Sequence, residues 1–174
     1  GQYQAQYYNN QTLSGEPALT QCESSIDYDW GSGGPGNGLA NDHFSVRWTG
    51  RFNFDDDGYR FIARADDGIK LWLDGDLTID AWRDQPATEY QEIRSLTAGE
   101  HEVKVEYYEN GGRAVCQVRW EKSVCPVGQY QAQYYNNQTL SGEPAFTQCE
   151  SSIDYDWGSG GPGSGLANDH FSVR

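Results

Sequence analysis

Basic residues are scarce in this sequence: 12 Lys and Arg stand against 26 Asp and Glu over 174 residues, a formal net charge of −14. A surface of that sign repels phosphate backbones, which excludes nucleic acid as a natural partner and favours divalent cations. Histidine is limited to His43, His101 and His170, and none of them sits in a recognisable nucleophile motif. The four cysteines, Cys22, Cys116, Cys125 and Cys149, form no C-x-x-C pair and no Cys/His cluster of the zinc-binding kind. No signal peptide is visible, and no apolar run is long enough to suggest membrane insertion. No stretch keeps a helical period over three turns.

What remains is glycine, aromatics and strand-like alternation. The chain is 36% hydrophobic and 14% aromatic, with 21 Gly, enough apolar matter for a core. YQAQYY, HFSVRWTGRFNF, GYRFIARA, IKLWLDG, HEVKVEYY and RAVCQVRWE are short runs rich in β-branched and aromatic residues. Phe44, Val46 and Trp48 fall on one face by period two. DDDG, DGD, TAGEH and ENGG supply turns between them. The predicted fold is all-β, an antiparallel β-sandwich of jelly-roll type. DWGSGGPGNGLAND reads as a long glycine-rich loop, the kind that carries function or an interface.

The chain also repeats itself. Gly1 aligns with Gly128, and residues 1–47 match 128–174 at all but two positions, Leu19/Phe146 and Asn37/Ser164. The spacing is domain-sized rather than that of a solenoid. The expectation is a tandem repeat of domain-sized units: residues 1–127 form one complete sandwich with its linker, and 128–174 the N-terminal third of the next, as in a window from a longer array. Residues 48–174 also contain every part of one unit in permuted order. The two GQYQAQYYNN segments could therefore compete for one place. If each copy carries its own linker cysteine, Cys125–Cys149 is the natural bridge, which leaves Cys22 without its partner, paired with Cys116, or free along with it; four cysteines allow three full pairings, and the sequence alone does not choose. A disulfide implies an oxidising, extracellular or cell-surface location.

ARADDGIKLWLDGDLTIDAW carries the most chemistry. Asp66 and Asp67 are adjacent and precede Gly68. Neighbours in a regular strand point to opposite faces, so two such carboxylates serving one site need an irregular peptide, such as a cis one. A hard cation could offset its cost. Calcium takes six to eight oxygens, and the YYENGGRA loop offers Asn110 and the backbone carbonyls of Gly111 and Gly112.

The run HFSVRWTG, GYRFIARADDGIKLWLDG, IDAW and LTAGEHEVKVEYYENGGRAVCQVRW resembles the protective-antigen N-terminal domain family (PA-fourteen) over residues 1–122. The resemblance implies a β-sandwich. Its flocculin-type and adhesin-type members are calcium-dependent glycan binders that hold the ion with an Asp-cis-Asp pair and a later Asn. Carried over, it implies calcium as the cofactor, Asp66, Asp67 and Asn110 as ligands, and Gly111 and Gly112 as carbonyl donors.

Other candidates rest on composition. Asp27 and Asp29 in SIDYDWGSG, and Asp55 and Asp57 in NFDDDGYRF, are candidates for a second cation, with plain turns as the alternative. Trp82, after a turn, is the candidate platform for a sugar face, whereas Trp72, between Leu71 and Leu73, reads as core. Asn10 and Asn137 match a glycosylation sequon but read as polar turn residues. Catalysis is not expected, because glycosidases need two carboxylates across a cleft and adjacent ones do not provide that. Near-identical copies on a short linker suggest, first, a structural repeat of a secreted, calcium-stabilised fibre or adhesin stalk whose partners are neighbouring repeats and other copies. The alternatives are a calcium-dependent carbohydrate-binding module with glycan partners, and an accessory domain of a surface enzyme.

Overall fold

Alternation decides which side chains turn inward, and Phe44, Val46 and Trp48 are all completely buried in the computed structural model. The structure describes residues 1–126, 128–163 and 165–174. Those residues contain no helix. In chain order the strands are β1 (Tyr3–Tyr8), β2 (Leu19–Glu23), β3 (Ile26–Gly31), β4 (Phe44–Phe54), β5 (Asp57–Asp66), β6 (Gly68–Leu73), β7 (Asp76–Ala81), β8 (Thr88–Leu96), β9 (Gly99–Glu109), β10 (Ala114–Lys122), β11 (Tyr130–Tyr135), β12 (Phe146–Glu150) and β13 (Ser172–Val173).

The chain divides into two units, Gly1–Lys122 and Ser123–Arg174. In the first, a six-stranded antiparallel sheet runs β2-β1-β4-β9-β6-β7 and a four-stranded one runs β3-β10-β5-β8. Their inner faces share one core, as a sandwich requires. Aromatic side chains cross between the sheets. Trp30 of β3 meets Phe44 of β4 edge-on at 5.5 Å, and Trp120 of β10 meets Phe52 of β4 at 5.0 Å. Such pairs add about 0.5–1.5 kcal/mol each beyond the area they bury. Of the two near-identical segments, 1–47 supplies the first unit: β1 lies between β2 and β4.

A charged group is buried in that core. Glu23 accepts from the Tyr7 hydroxyl at 2.6 Å and from the Trp48 indole N–H at 2.6 Å, both buried bonds. The carboxylate thus gives two large interior aromatics the acceptor their polar ends need. The same pair recurs as Tyr134 and Glu150 in the second unit.

β8 has no clear sequence signal. TEYQEIRSL is mostly polar and mostly exposed, because it is an edge strand of the four-stranded sheet. Trp72 departs from its core reading. Leu71 and Leu73 point inward, so Trp72 faces out by period two, under Lys104 with Nζ 3.9 Å from the ring centroid. Asn10 and Asn137 are turn residues as expected, their side-chain oxygens accepting from the backbone N–H groups two and four residues on.

The second unit is a three-stranded sheet in the order β12-β11-β13. Tyr130 pairs with Glu150 as Tyr3 pairs with Glu23. The Cys125–Cys149 disulfide is formed, while Cys22 and Cys116 are free thiols, the first exposed and the second buried. Residues 123–126 group with this second unit, to which Cys125 is bonded; the boundary expected at Val127 lies outside the described residues.

Replacing Glu23 with Ala strands two buried donors and should cost about 2–4 kcal/mol of unfolding free energy. Urea denaturation checks this, and a loss under about 0.5 kcal/mol would show that water or another acceptor takes over.

Candidate metal and ligand site

Three chain segments converge at one end of the sandwich. β5 ends at Asp66, β6 begins at Gly68, and β9 ends at Glu109. The Asp66–Asp67 peptide is cis. A Cβ at Gly68 would come within 2.0 Å of the Tyr108 ring, so only glycine fits where β6 leaves the site. One carboxylate oxygen from each of Asp66, Asp67 and Glu109 lies within 4.8 Å of the others. Oxygens so spaced can share one ion, since calcium–oxygen bonds of about 2.3–2.6 Å place ligands up to roughly 5 Å apart.

Backbone and amide donors fix Asp67. Its carboxylate accepts from the Gln85 N–H at 3.1 Å and the Asn110 N–H at 2.8 Å, while its carbonyl accepts from the Gln85 side chain at 3.0 Å. The Tyr107 hydroxyl bonds both the Asp66 carbonyl and Glu109 Oε2. The electrostatics are unfavourable. Burial, and then Asp67, push the Asp66 carboxyl up from its ordinary range. Burial lifts Glu109 to about 7, with Asp67, Asp66 and Asp42 adding to the effect against the lowering bond from Tyr107. A cation would reverse both influences.

Of the candidate ligands, Asp66 and Asp67 cluster with Glu109, and Asn110 lies beside them. Asn110 adjoins Asp67 through its N–H, but its side chain is already engaged: Nδ2 donates to Asp84 at 2.9 Å, and Oδ1 accepts from Gln11 at 2.8 Å. An amide oxygen has a second lone pair, so Oδ1 remains able to bind an ion. Gly111 and Gly112 follow in the same exposed loop, and Gly112 has φ 103°, a conformation that favours glycine.

The second candidate set does not assemble. Asp27 and Asp29 lie on β3, where Asp27 accepts from Gln117 and Asp29 is ion-paired with Arg113. The Gly31 N–H and then Arg113 hold the Asp29 carboxyl below its usual range. Asp55 and Asp57 flank the β4–β5 turn and share Lys122, at 2.7 and 3.5 Å. With these partners the four carboxylates are local hydrogen-bonding and ion-pairing groups.

Sequence reasoning missed Glu109 and Asp84. Glu109 was hidden inside a strand run. Asp84 donates nothing to a motif, yet it accepts from the Tyr108 hydroxyl at 2.7 Å and from Asn110. Trp82 packs edge-on against Tyr108 at 4.7 Å and is half-buried. Together Gln11, Thr12, Trp82, Asp84, Tyr108 and Asn110 line an open hollow of about 300 Å³ beside the carboxylates.

A sandwich with paired aspartates between β5 and β6 defines a recognised class: the PA14 domain family matches residues 1–124, and the chain belongs to it. Among individual proteins, it is 33% identical over 191 residues to the anti-sigma-I factor RsgI3 of Acetivibrio thermocellus, covering 97% of this chain and 29% of that protein. It therefore spans under a third of that relative. A solved anti-sigma factor domain-containing protein from Clostridium clariflavum matches with a TM-score of 0.64 at 28% identity, over 99% of this chain and 68% of that one. The PA14 sugar-binding domain from an RTX adhesin shares the fold, with a TM-score of 0.61 at 21% identity over 70% of this chain and 89% of that one.

With chelator present, Glu109 makes stability depend on pH. Its folded value, about 7, lies above the ordinary 4.5, so folding takes up a proton between them. This contribution is fully present below about 4.5 and is lost as pH rises through 7. His101, raised by Asp74 and the Thr97 carbonyl, acts in the same direction. Urea midpoints from pH 5 to 7.5 should fall in the wild type and fall less in Glu109→Gln; equal slopes would show that Glu109 stays ionised in the fold.

Proposed function

We propose that this chain is a calcium-dependent carbohydrate-binding module. The observation that carries this reading is the position of the carboxylate cluster: it adjoins an open hollow whose wall combines an aromatic face, Trp82, with polar groups from Gln11, Asp84 and Asn110. Calcium prefers oxygen ligands and takes more of them than Asp66, Asp67, Asn110 and the carbonyls of the Gly111–Gly112 loop provide, so sugar hydroxyls could complete its shell. The ion supplies a fixed positive charge for those hydroxyls. The chain's own groups fix orientation, with Asp84 and Gln11 offering hydrogen bonds and Trp82 a flat apolar surface. That a sugar-binding domain of an RTX adhesin has this fold supports the carbohydrate part of the reading.

The same observations favour a binding module over a fibre stalk or a catalyst. A stalk needs neither the hollow nor its aromatic wall. A glycosidase needs two separated carboxylates, and Asp66 and Asp67 are adjacent. The disulfide fits an extracellular setting. Within a longer protein resembling the anti-sigma-I factor relative, such a module would be the part that meets a carbohydrate.

Calorimetric titration against a panel of soluble plant and bacterial cell-wall oligosaccharides, with calcium and then with chelator, tests this. Binding should occur with calcium and vanish without it. Trp82→Ala should weaken it at least about tenfold with little loss of stability, since the side chain is only half-buried. If no glycan binds and chelator still lowers the melting temperature, the ion is a structural element and the sugar reading fails.

Calcium at about a hundredfold over Kd should itself raise the melting temperature by roughly 10 °C. Asp66→Asn with Asp67→Asn should abolish that rise in a differential scanning experiment; a rise that survives would place the ion elsewhere.

A further inference from the structure

We propose that Glu109 is a third charged ligand of the cation at Asp66 and Asp67, so that the site presents three carboxylates rather than two. The inference rests on the calcium reading above and deepens it.

Three observations support it. Glu109 has no exposure to solvent, and its Oε1 has no hydrogen-bond partner among the described residues. A buried acceptor left without a donor is costly and therefore rare, so a structure that keeps one usually has a use for it. Second, a Glu109 carboxylate oxygen lies within 4.8 Å of oxygens from both aspartates, inside the reach of one coordination shell. Third, no ion pair among the described residues involves any of the three: each cationic side chain that forms an ion pair is committed to another acid.

Tyr107 is the positioning residue. Its hydroxyl proton is shared between the Asp66 carbonyl and Glu109 Oε2, which holds Glu109 in register with the aspartates and leaves Oε1 free. Asp66 and Asp67 approach from the β5–β6 junction and Glu109 from the end of β9. The ion would therefore tie the two sheets together, since β5 belongs to the four-stranded sheet and β9 to the six-stranded one. The side left for ligand is that of the Asn110 loop and the hollow.

Three negative charges have a consequence that two do not. A charged ligand's attraction scales with the charge of the ion, so losing one should weaken a trivalent lanthanide more than calcium. A residue that merely shapes the site would weaken both alike.

The test is Glu109→Gln, which keeps shape and removes charge, in the whole chain. Calcium affinity is read by calorimetry and terbium affinity by sensitised luminescence, with the melting temperature in chelator as the control for folding. The expected result is an unchanged or higher melting temperature in chelator, calcium binding weakened at least about tenfold, and terbium binding weakened by a larger factor. Calcium affinity within twofold of wild type, or equal losses for both ions, would overturn the proposal while leaving the calcium reading intact. Wild-type protein that binds neither ion would overturn both. Tyr107→Phe separates ligation from positioning: it should weaken calcium less than Glu109→Gln, and the reverse order would show that Glu109 acts only through its hydroxyl partner.

Discussion

The pairing of β4 with β9 is the constraint on which the rest of the first unit depends. It runs without interruption for eleven residues, from Phe44 opposite Glu109 to Phe54 opposite Gly99. β1 joins one side of β4, β6 joins the far side of β9, and the inward faces of β4 and β9 carry Trp48, Phe44 and Tyr107, among the largest fully buried side chains. A slip of one residue would turn Phe44, Val46 and Trp48 to solvent and bring Arg47 inside. It would also turn Glu109 away from the aspartates. The position of the carboxylate cluster is thus a consequence of core packing: the register that buries the aromatics delivers Glu109 to the end of the sheet.

The two near-identical segments show how local pairing separates from burial. β1 and β2 pair in the same register as β11 and β12, down to the Tyr–Glu bond and the asparagine turn. Yet Tyr3 is 2% exposed and Tyr130 53%, Ile26 1% and Ile153 74%. In the first unit β3 is paired with β10, and the rings of Phe52 and Trp120 pack near Tyr3. The corresponding face of the second unit borders a largely apolar hollow that includes Tyr130, Ile153 and Tyr155. Hydrogen-bond register is therefore encoded within about fifty residues, whereas the interior requires the other sheet.

Much of this was legible in the sequence. Period-two runs located the central strands, and the adjacent aspartates before a glycine located the site. What remained hidden had physical causes. β8 is an edge strand whose polar residues face water, so it lacks alternation. Trp72 reads as core beside two leucines, yet its parity on the strand sends it outward. Glu109 is spelled like any solvent-facing glutamate in a strand; only the fold, by bringing β9 beside the β5–β6 junction, makes it an interior acid. For Asp27, Asp29, Asp55 and Asp57, acidic composition carries no information about the Lys, Arg and Gln partners that the fold places beside them.

The interior acid links stability to ligand binding. Without a cation, burial lifts the Glu109 carboxyl to about 7, with Asp67, Asp66 and Asp42 adding to the effect, and burial and then Asp67 push the Asp66 carboxyl up. Substituting an apolar residue for Glu109 would remove the cost of burying that acid, but it would also remove the only acid that approaches from β9. The aspartates stand where the chain passes from β5 of one sheet to β6 of the other, and Glu109 adds the end of β9, the neighbour of β6. An ion shared by all three would pin these strand ends together and would stabilise the fold and order the rim beside Asn110 and Trp82 at the same moment. In the proposed site, carboxylate repulsion would then be the driving force for taking up an ion, and the ordered rim what a sugar would meet.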